Sequence, residues 1–369
     1  MKHPHRTSRQ IRVGNVPIGG GTPVVIQSMT NTPTQDAAAT RMQIRELAAA
    51  GCEIVRVTVP DEAAADALPE ILANSPVPVI ADIHFDYKLA LRSIKAGIHA
   101  IRLNPGNIGS ADRVKAVAEA AGEAGIPIRV GANSGSLPKG LLESKLAAGL
   151  PHDEALAESL VEAALKQVEL LEQYSFTRLK VSLKASSVPV TVQAYRMFAE
   201  RSDYPLHLGI TEAGTAFKGA IKSAVGIGAL LLDGIGDTIR VSLSAPPAEE
   251  IRAAQAILES AGLRDAAPEL ISCPTCGRTA WNLIGMAGRL ERFIAEVKSS
   301  GKKIALRKVA VMGCAVNGPG EAADADIGIA SGNHAGELLV FKNGKPLVLL
   351  PEEEAFALLK QEILNATGE

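Results

Sequence analysis

Aromatic side chains are scarce in this 369-residue chain, where tryptophan, tyrosine and phenylalanine together make up 3%. Proteins that grip single-stranded nucleic acid stack bases on such rings, so that function is set aside. Charge of one sign is also missing. Lysine and arginine number 38 against 40 acidic residues, a formal net charge of -2, without the positive field of a general nucleic-acid or membrane-surface binder. No apolar run approaches the roughly 20 residues of a membrane span. Residues 1–9 are basic but lack the apolar stretch of a secretory signal. Cysteine is rare as well. Four residues do not make a disulfide scaffold, and a reducing, cytoplasmic setting is the expectation.

What the chain does have is apolar bulk and rhythm. Hydrophobic residues make up 47% of it and charged residues 21%, enough for a large core and about two domains. Past a polar arm over 1–23, strand-like runs recur at 24–29, 54–59, 78–84, 100–104, 127–133, 177–184, 206–212 and 237–244. Each is followed by a helical pattern, at 36–50, 61–73, 86–96, 110–124, 152–173, 188–200, 214–231 and 247–261. Alternating βα units imply a parallel sheet, and eight of them at this spacing fit a closed (β/α)8 TIM barrel. An open doubly wound sheet is the alternative, but no Gly-x-Gly-x-x-Gly follows the first strand. After 262 the rhythm breaks. A helix over 279–297, strands near 303–312, 325–330, 336–342 and 345–349 and a last helix from 351 predict a smaller α+β domain over 263–369.

Polar residues near the strand ends follow a period of two, so each set shares one strand face. The sets are Arg56 and Thr58; Asp82 and His84; Arg102 and Asn104; Arg129, Gly131 and Asn133; Lys180, Ser182 and Lys184; and Arg240, Ser242 and Ser244. Barrel chemistry gathers at the carboxyl ends of the strands. Four arginines and at least one lysine would therefore converge there, with Asp82 and Glu212 too few to neutralise them. A phosphate-bearing ligand is the simplest source of the missing charge. Pairing with other carboxylates, such as Glu53 or Asp61, is the bland alternative. The loop 104–109 before a helix offers a further, weak phosphate cradle. Glu212 reads either as a partly buried acid/base group or as a structural ion-pair partner. His84 reads as a proton donor or orienter, or as a hydrogen-bonded core histidine. His207, in the opposite phase, reads as structural.

Three of the four cysteines stand in Cys273-Pro274-Thr275-Cys276 and in the run 312–321, which carries Cys314, Asn317, a Gly-Pro-Gly turn and Glu321. Cys52, directly after Gly51 and before the second strand, falls at the opposite end of the barrel and reads as a buried apolar residue. Three thiols need a fourth ligand. Glu321, beyond the turn, and His334 compete for that place, and both a structural zinc and an iron–sulfur cluster remain open.

The cysteine motifs closely resemble those of the 4-hydroxy-3-methylbut-2-enyl diphosphate synthases of the non-mevalonate isoprenoid pathway. The barrel segments 25–32, 82–84, 101–107, 181–186 and 208–214 agree with the same family. The resemblance spans essentially the whole chain and implies the two-domain bacterial form, without the extra domain of plant-type members. It implies a [4Fe-4S] cluster on Cys273, Cys276, Cys314 and Glu321. It also implies reductive opening and dehydration of 2-C-methyl-D-erythritol 2,4-cyclodiphosphate, with electrons from flavodoxin or ferredoxin. Carried over, Arg56, Arg102, Arg129 and Lys184 grip the diphosphate. Asn104, Asn133 and Ser242 add hydrogen bonds, Asp82, His84 and Arg240 complete the pocket, and Glu212 and Glu321 are the catalytic carboxylates. A homodimer is implied too, the cluster domain of one subunit closing over the barrel of the other. Without the resemblance, the competing readings are a non-redox barrel enzyme with a zinc-bearing tail and a metal-stabilised sensor of phosphorylated metabolites.

Overall fold

The computed structural model describes residues 5–265, 268–279, 281–314, 320, 322–332 and 336–368. The chain divides into two compact units, Met1–Arg264 and Asp265–Glu369.

The first unit opens with a short antiparallel hairpin, β1 (Ile11–Val13) and β2 (Val16–Ile18), in the arm whose polarity predicted no structure. Eight strands follow: β3 (Val25–Met29), β4 (Ile54–Thr58), β5 (Val79–Asp82), β6 (Ala100–Arg102), β7 (Ile128–Asn133), β8 (Leu179–Lys184), β9 (His207–Leu208) and β10 (Thr238–Ile239). They form one parallel sheet in the order β8-β7-β6-β5-β4-β3-β10-β9. A parallel bridge between Val181 and Leu206 joins its two ends. The sheet is therefore a closed barrel, the arrangement expected from eight βα units.

Alternation along the strands divides the side chains in two. Ile26, Val55, Val57, Ala81, Ile101, Val130 and Val181 face outward into the main hydrophobic cluster, under helices α1 (Ala37–Ala49), α2 (Glu62–Leu72), α3 (Tyr87–Lys95) and α4 (Ala111–Glu123). Helices α5 (Leu141–Ala147), α6 (His152–Glu172), α7 (Val188–Arg201), α8 (Ala216–Leu232) and α9 (Pro247–Ser260) complete the shell. Helix α5 was not anticipated in the sequence and lies in the loop after β7. Local chemistry fixes where several helices begin: Asp36, Asp61 and Asp86 accept backbone N–H groups in the first turns of α1, α2 and α3.

The inward residues Val25, Ile54, Ile80 and Ala100 pack with Ile11, Val13 and Ile18 of the hairpin in a separate apolar cluster. The hairpin thus plugs the amino-terminal end of the barrel, and the inward positions above this plug are polar. Cys52 lies at that closed end, buried, with its thiol donating to the Ile54 carbonyl at 3.1 Å. Burial pushes the thiol up to about 12, so it stays protonated and inert.

The second unit has a five-stranded sheet of β11 (Glu269–Ser272), β13 (Lys308–Met312), β14 (Ile327–Ser331), β15 (Glu337–Lys342) and β16 (Lys345–Pro351), in that order. The first three are mutually parallel and the last two antiparallel. Helices α10 (Leu283–Ser299) and α11 (Glu352–Asn365) supply Leu290, Ile294, Phe356 and Leu359 to a core against Val309, Val311, Ile327 and Val340. The segment predicted as one strand over 303–312 is two, β12 (Lys303–Ile304) pairing with β17 (Thr367–Gly368), and β13.

Candidate active site

At the carboxyl ends of the barrel strands is a cavity of about 180 Å³ lined by Arg56, Asp82, His84, Arg102, Arg129, Asn133, Ser182, Lys184, Thr211, Arg240 and Ser242. Every strand from β4 to β8 contributes, because residues two apart on a strand point the same way. Close approach between strands is needed to seat them. A Cβ on Gly131 would stand 2.2 Å from the Ser182 carbonyl oxygen, and one on Gly209 would stand 2.7 Å from the Arg240 carbonyl and 2.9 Å from Lys184 Nζ. Only glycine fits either position.

The electrostatics are lopsided. Asp82, 3% exposed, bridges Arg56 at 3.4 Å and Arg102 at 3.1 Å. Burial pushes the Asp82 carboxyl up, but Arg56, Arg102 and Arg129 outweigh it and hold it below its ordinary value. Arg240 pairs with Glu250 of α9 at 3.3 Å, and Glu250 also accepts from the Ser28 hydroxyl and the Leu243 N–H. The Met29 thioether lies between Arg56 and Arg240, 3.0 Å from one guanidinium and 3.4 Å from the other. Burial lowers Arg56 to about 10, with Asp82 opposing and Arg240 and Arg102 adding to the shift. Arg129 has no carboxylate partner among the described residues, and its Nη1 is buried without a hydrogen bond. Burial and its neighbours Arg56 and Arg102 push it well down. A site in this state favours a ligand that brings negative charge and oxygen acceptors.

In the second unit, Cys273 and Cys314 follow β11 and β13, which lie side by side with Ser272 opposite Val311. The two segments therefore leave the same end of the sheet. Cys273 Sγ accepts the Gly313 N–H at 3.1 Å, and a Cβ on Gly313 would stand 3.2 Å from that sulfur. Cys276 is exposed, and the Arg278 backbone N–H, with the Arg278 and Thr279 side chains, holds its thiol below the usual range. Cys314 is half-buried. Among the described residues, no three metal-ligating side chains converge within bonding reach of one point. Glu321, His334 and Asn317 lie outside the described residues. The donors themselves suit a thiolate-bound iron–sulfur group. Backbone N–H groups aimed at two of the sulfurs stabilise thiolate, the form that binds metal.

The family profile described as the GcpE TIM-barrel domain matches residues 8–255, and that described as the GcpE protein C-terminal domain matches residues 269–365. The chain belongs to the GcpE family. Its curated relatives include the 4-hydroxy-3-methylbut-2-en-1-yl diphosphate synthase (flavodoxin) of Geobacter sulfurreducens, 54% identical over 362 residues that cover 98% of both chains. The enzyme of the same name from Geobacillus thermodenitrificans is 54% identical over 97% of this chain and 92% of its own. That from Salinispora arenicola is 53% identical over 99% and 90%.

Against the residues expected of a GcpE barrel, Arg56, Asp82, His84, Arg102, Arg129, Asn133, Lys184, Arg240 and Ser242 all line the one cavity. Two expected residues do not. Asn104 Oδ1 accepts the Gly106 N–H and caps a short 3-10 turn, Pro105–Asn107, so the loop at 104–109 is closed on itself rather than open as a cradle. Glu212 is exposed instead of partly buried, and it has no ion pair among the described residues. The reason is backbone: β9 ends at Leu208, and the chain turns through Thr211 and Glu212, whose φ of 51° lies in the left-handed region. Thr211 faces the cavity in its place.

Sequence reasoning missed Glu250, whose pairing with Arg240 crosses from a helix to a strand. The carboxylates named as alternative partners are used elsewhere. Glu53 pairs with Arg264 at the closed end, and Asp61 caps α2.

Proposed function

We propose that this GcpE protein catalyses the reductive opening of 2-C-methyl-D-erythritol 2,4-cyclodiphosphate to 4-hydroxy-3-methylbut-2-enyl diphosphate, with electrons from flavodoxin or ferredoxin. The observation that carries the reading is the cation-rich cavity at the barrel mouth, five basic side chains against one lining carboxylate. The name shared by its relatives supports it. In the balanced reaction two electrons enter, the ring C–O bond on the tertiary carbon breaks, and the neighbouring hydroxyl leaves as water.

Arg129 and Lys184, which have no carboxylate of their own among the described residues, grip the diphosphate. Arg102, beside Arg129 on the neighbouring strand, and Arg56 hold it too, while Asp82 keeps both of their guanidinium groups in place. Asn133 and Ser242 donate hydrogen bonds, and Arg240 is steadied by Glu250. His84 and Glu212, at the rim, handle the proton that accompanies loss of the hydroxyl. Such a pocket binds through charge and bidentate geometry, and fixing the diphosphate sets the angle at which the ring is presented.

Cys273, Cys276, Cys314 and Glu321 would hold the [4Fe-4S] cluster, which supplies one-electron reduction and an iron open to oxygen. The Gly313 N–H to Cys273 Sγ stabilises a thiolate ligand there. The working form is taken to be a cytoplasmic homodimer. No helix of the described residues is long and apolar enough to cross a membrane. Helix α8 exposes Phe217, Ile221, Val225 and Leu232, an apolar stripe that a second copy would cover.

The test is turnover of the cyclic diphosphate by anaerobically purified protein with reduced flavodoxin. Formation of the linear allylic diphosphate is expected, with loss of at least tenfold in kcat/KM for Arg129→Ala. Wild-type kinetics in that variant would remove Arg129 from the substrate site.

A further inference from the structure

The charged groups inside the barrel do not balance, and the imbalance falls on two lysines. Facing one another from successive strands are Arg56 on β4, Asp82 and His84 at β5, Arg102 on β6, Arg129 on β7, Lys180 and Lys184 on β8, His207 on β9, and Arg240 after β10, with Glu250 reaching in from α9 and Asp237 at the closed end before β10. The three carboxylates are committed. Asp82 serves Arg56 and Arg102, Glu250 serves Arg240, and Asp237 accepts the Ser8 hydroxyl and the Leu206 N–H. Among the described residues neither lysine has an ion pair. Lys180, 2% exposed, has an Nζ that is buried without a hydrogen bond. Lys184 is half-buried and lines the cavity together with Arg56, Arg102, Arg129 and Arg240, its side-chain nitrogen 2.9 Å from where a Cβ on Gly209 would stand.

Arginine does not give up its proton in a protein, whereas a buried lysine does. We propose that binding of the cyclic diphosphate is coupled to proton uptake by Lys184 and, four residues deeper on the same strand, Lys180. The inference rests on the substrate reading above. Burial, then Arg129, Arg240, Arg56 and Arg102, push Lys184 well below its ordinary value, and burial, Arg129 and Arg56 do the same to Lys180. His207, pushed far down by burial and these same cations, stays neutral, and its Nδ1 already bonds Thr238 Oγ1 at 2.7 Å. Each phosphorus of a cyclic diphosphate carries one ester and one anhydride linkage and a single strongly acidic oxygen, so the molecule is a dianion at every working pH and does not itself titrate. Its two negative charges offset the excess arginine charge, and solvent protons then occupy the lysines. Each lysine so protonated becomes a charge-assisted donor to the ligand or to its neighbours.

Linkage fixes the direction. In the window between the lysines' lowered values and their values beside the dianion, affinity falls about tenfold per pH unit for each proton taken up. Isothermal titration of the cyclic diphosphate into the holoprotein without reductant, at about pH 8 in HEPES and in Tris, measures that proton directly. The expected result is a binding heat that differs between the buffers and corresponds to uptake of about one to two protons per site. Lys184→Arg, which cannot release a proton, should bind with a smaller uptake. Equal heats in both buffers would overturn the inference and leave the substrate reading standing. So would undiminished uptake in both Lys184→Arg and Lys180→Met. Absence of binding would overturn the substrate reading and this inference with it.

Discussion

Replacing Glu250 by glutamine tests whether the barrel mouth is held by the few carboxylates that face its cations. Glu250 is 5% exposed. It takes Nε and Nη2 of Arg240 at 3.3 and 3.4 Å, the Ser28 hydroxyl at 3.2 Å and the Leu243 N–H at 3.1 Å. An amide keeps the shape but loses the charge and turns one acceptor into a donor. That donor would face at least one of these four N–H or O–H groups. Arg240 would then keep one N–H bond to the amide oxygen and the Met29 sulfur at 3.4 Å, but no counter-charge, with Arg56 nearby. Removing one partner of a buried pair costs about 3–5 kcal/mol, and the retained acceptor places the expected loss near 3 kcal/mol. Against a total stability of roughly 5–15 kcal/mol, that is a large fraction. Urea unfolding followed by far-UV circular dichroism should show a lower midpoint at an unchanged slope. A loss within about 0.5 kcal/mol, the size seen for exposed ion pairs, would refute the claim that this pair is buried and organising.

Lys180→Met should stabilise the unliganded protein by about 1–4 kcal/mol, because it replaces an unpaired buried amine with an apolar side chain of similar length. The folded state disfavours the protonated lysine, so wild-type stability should rise with pH between the lowered folded value and about 10.4, where the unfolded lysine titrates. The variant should flatten that slope in urea midpoints measured across the window, and an unchanged slope would contradict the assignment. Gly209→Ala should weaken binding of the cyclic diphosphate at least tenfold by displacing Lys184 and the Arg240 carbonyl, and unchanged affinity by calorimetry would show that the strands adjust. Gly313→Ala should lower iron content per chain while the second unit still folds, since its Cβ would press on Cys273 Sγ. Full iron retention would show that this close approach is not needed.

The barrel was legible because its signals are local and repeated: eight apolar runs, each followed by a helical pattern, and polar residues on alternate positions. The period-two sets identified most of the cavity wall, since a strand's geometry fixes which residues share a face. What escaped depends on backbone turns and on contacts across the fold. Glu250 follows Glu249 at the start of α9, where acidic residues are ordinary complements to a helix N-terminus, and nothing local reveals that one of them reaches Arg240. Asn104 and Glu212 were placed by extending strands that in fact end earlier, at Arg102 and Leu208. The β1–β2 hairpin has three-residue strands, one of them containing Pro17, and so carries too little periodicity to read. In the second unit β11 is a four-residue strand directly before Cys273, hidden by the cysteine motif that draws attention to it.

The most direct test of the account is the metal itself. Protein purified without oxygen should be brown, absorb broadly in the visible, and contain about four iron and four sulfide per chain, as one [4Fe-4S] cluster requires. It should lose that colour in Cys314→Ser while its barrel still binds the cyclic diphosphate. A colourless protein holding zinc on Cys273, Cys276 and Cys314 would contradict the account at its centre.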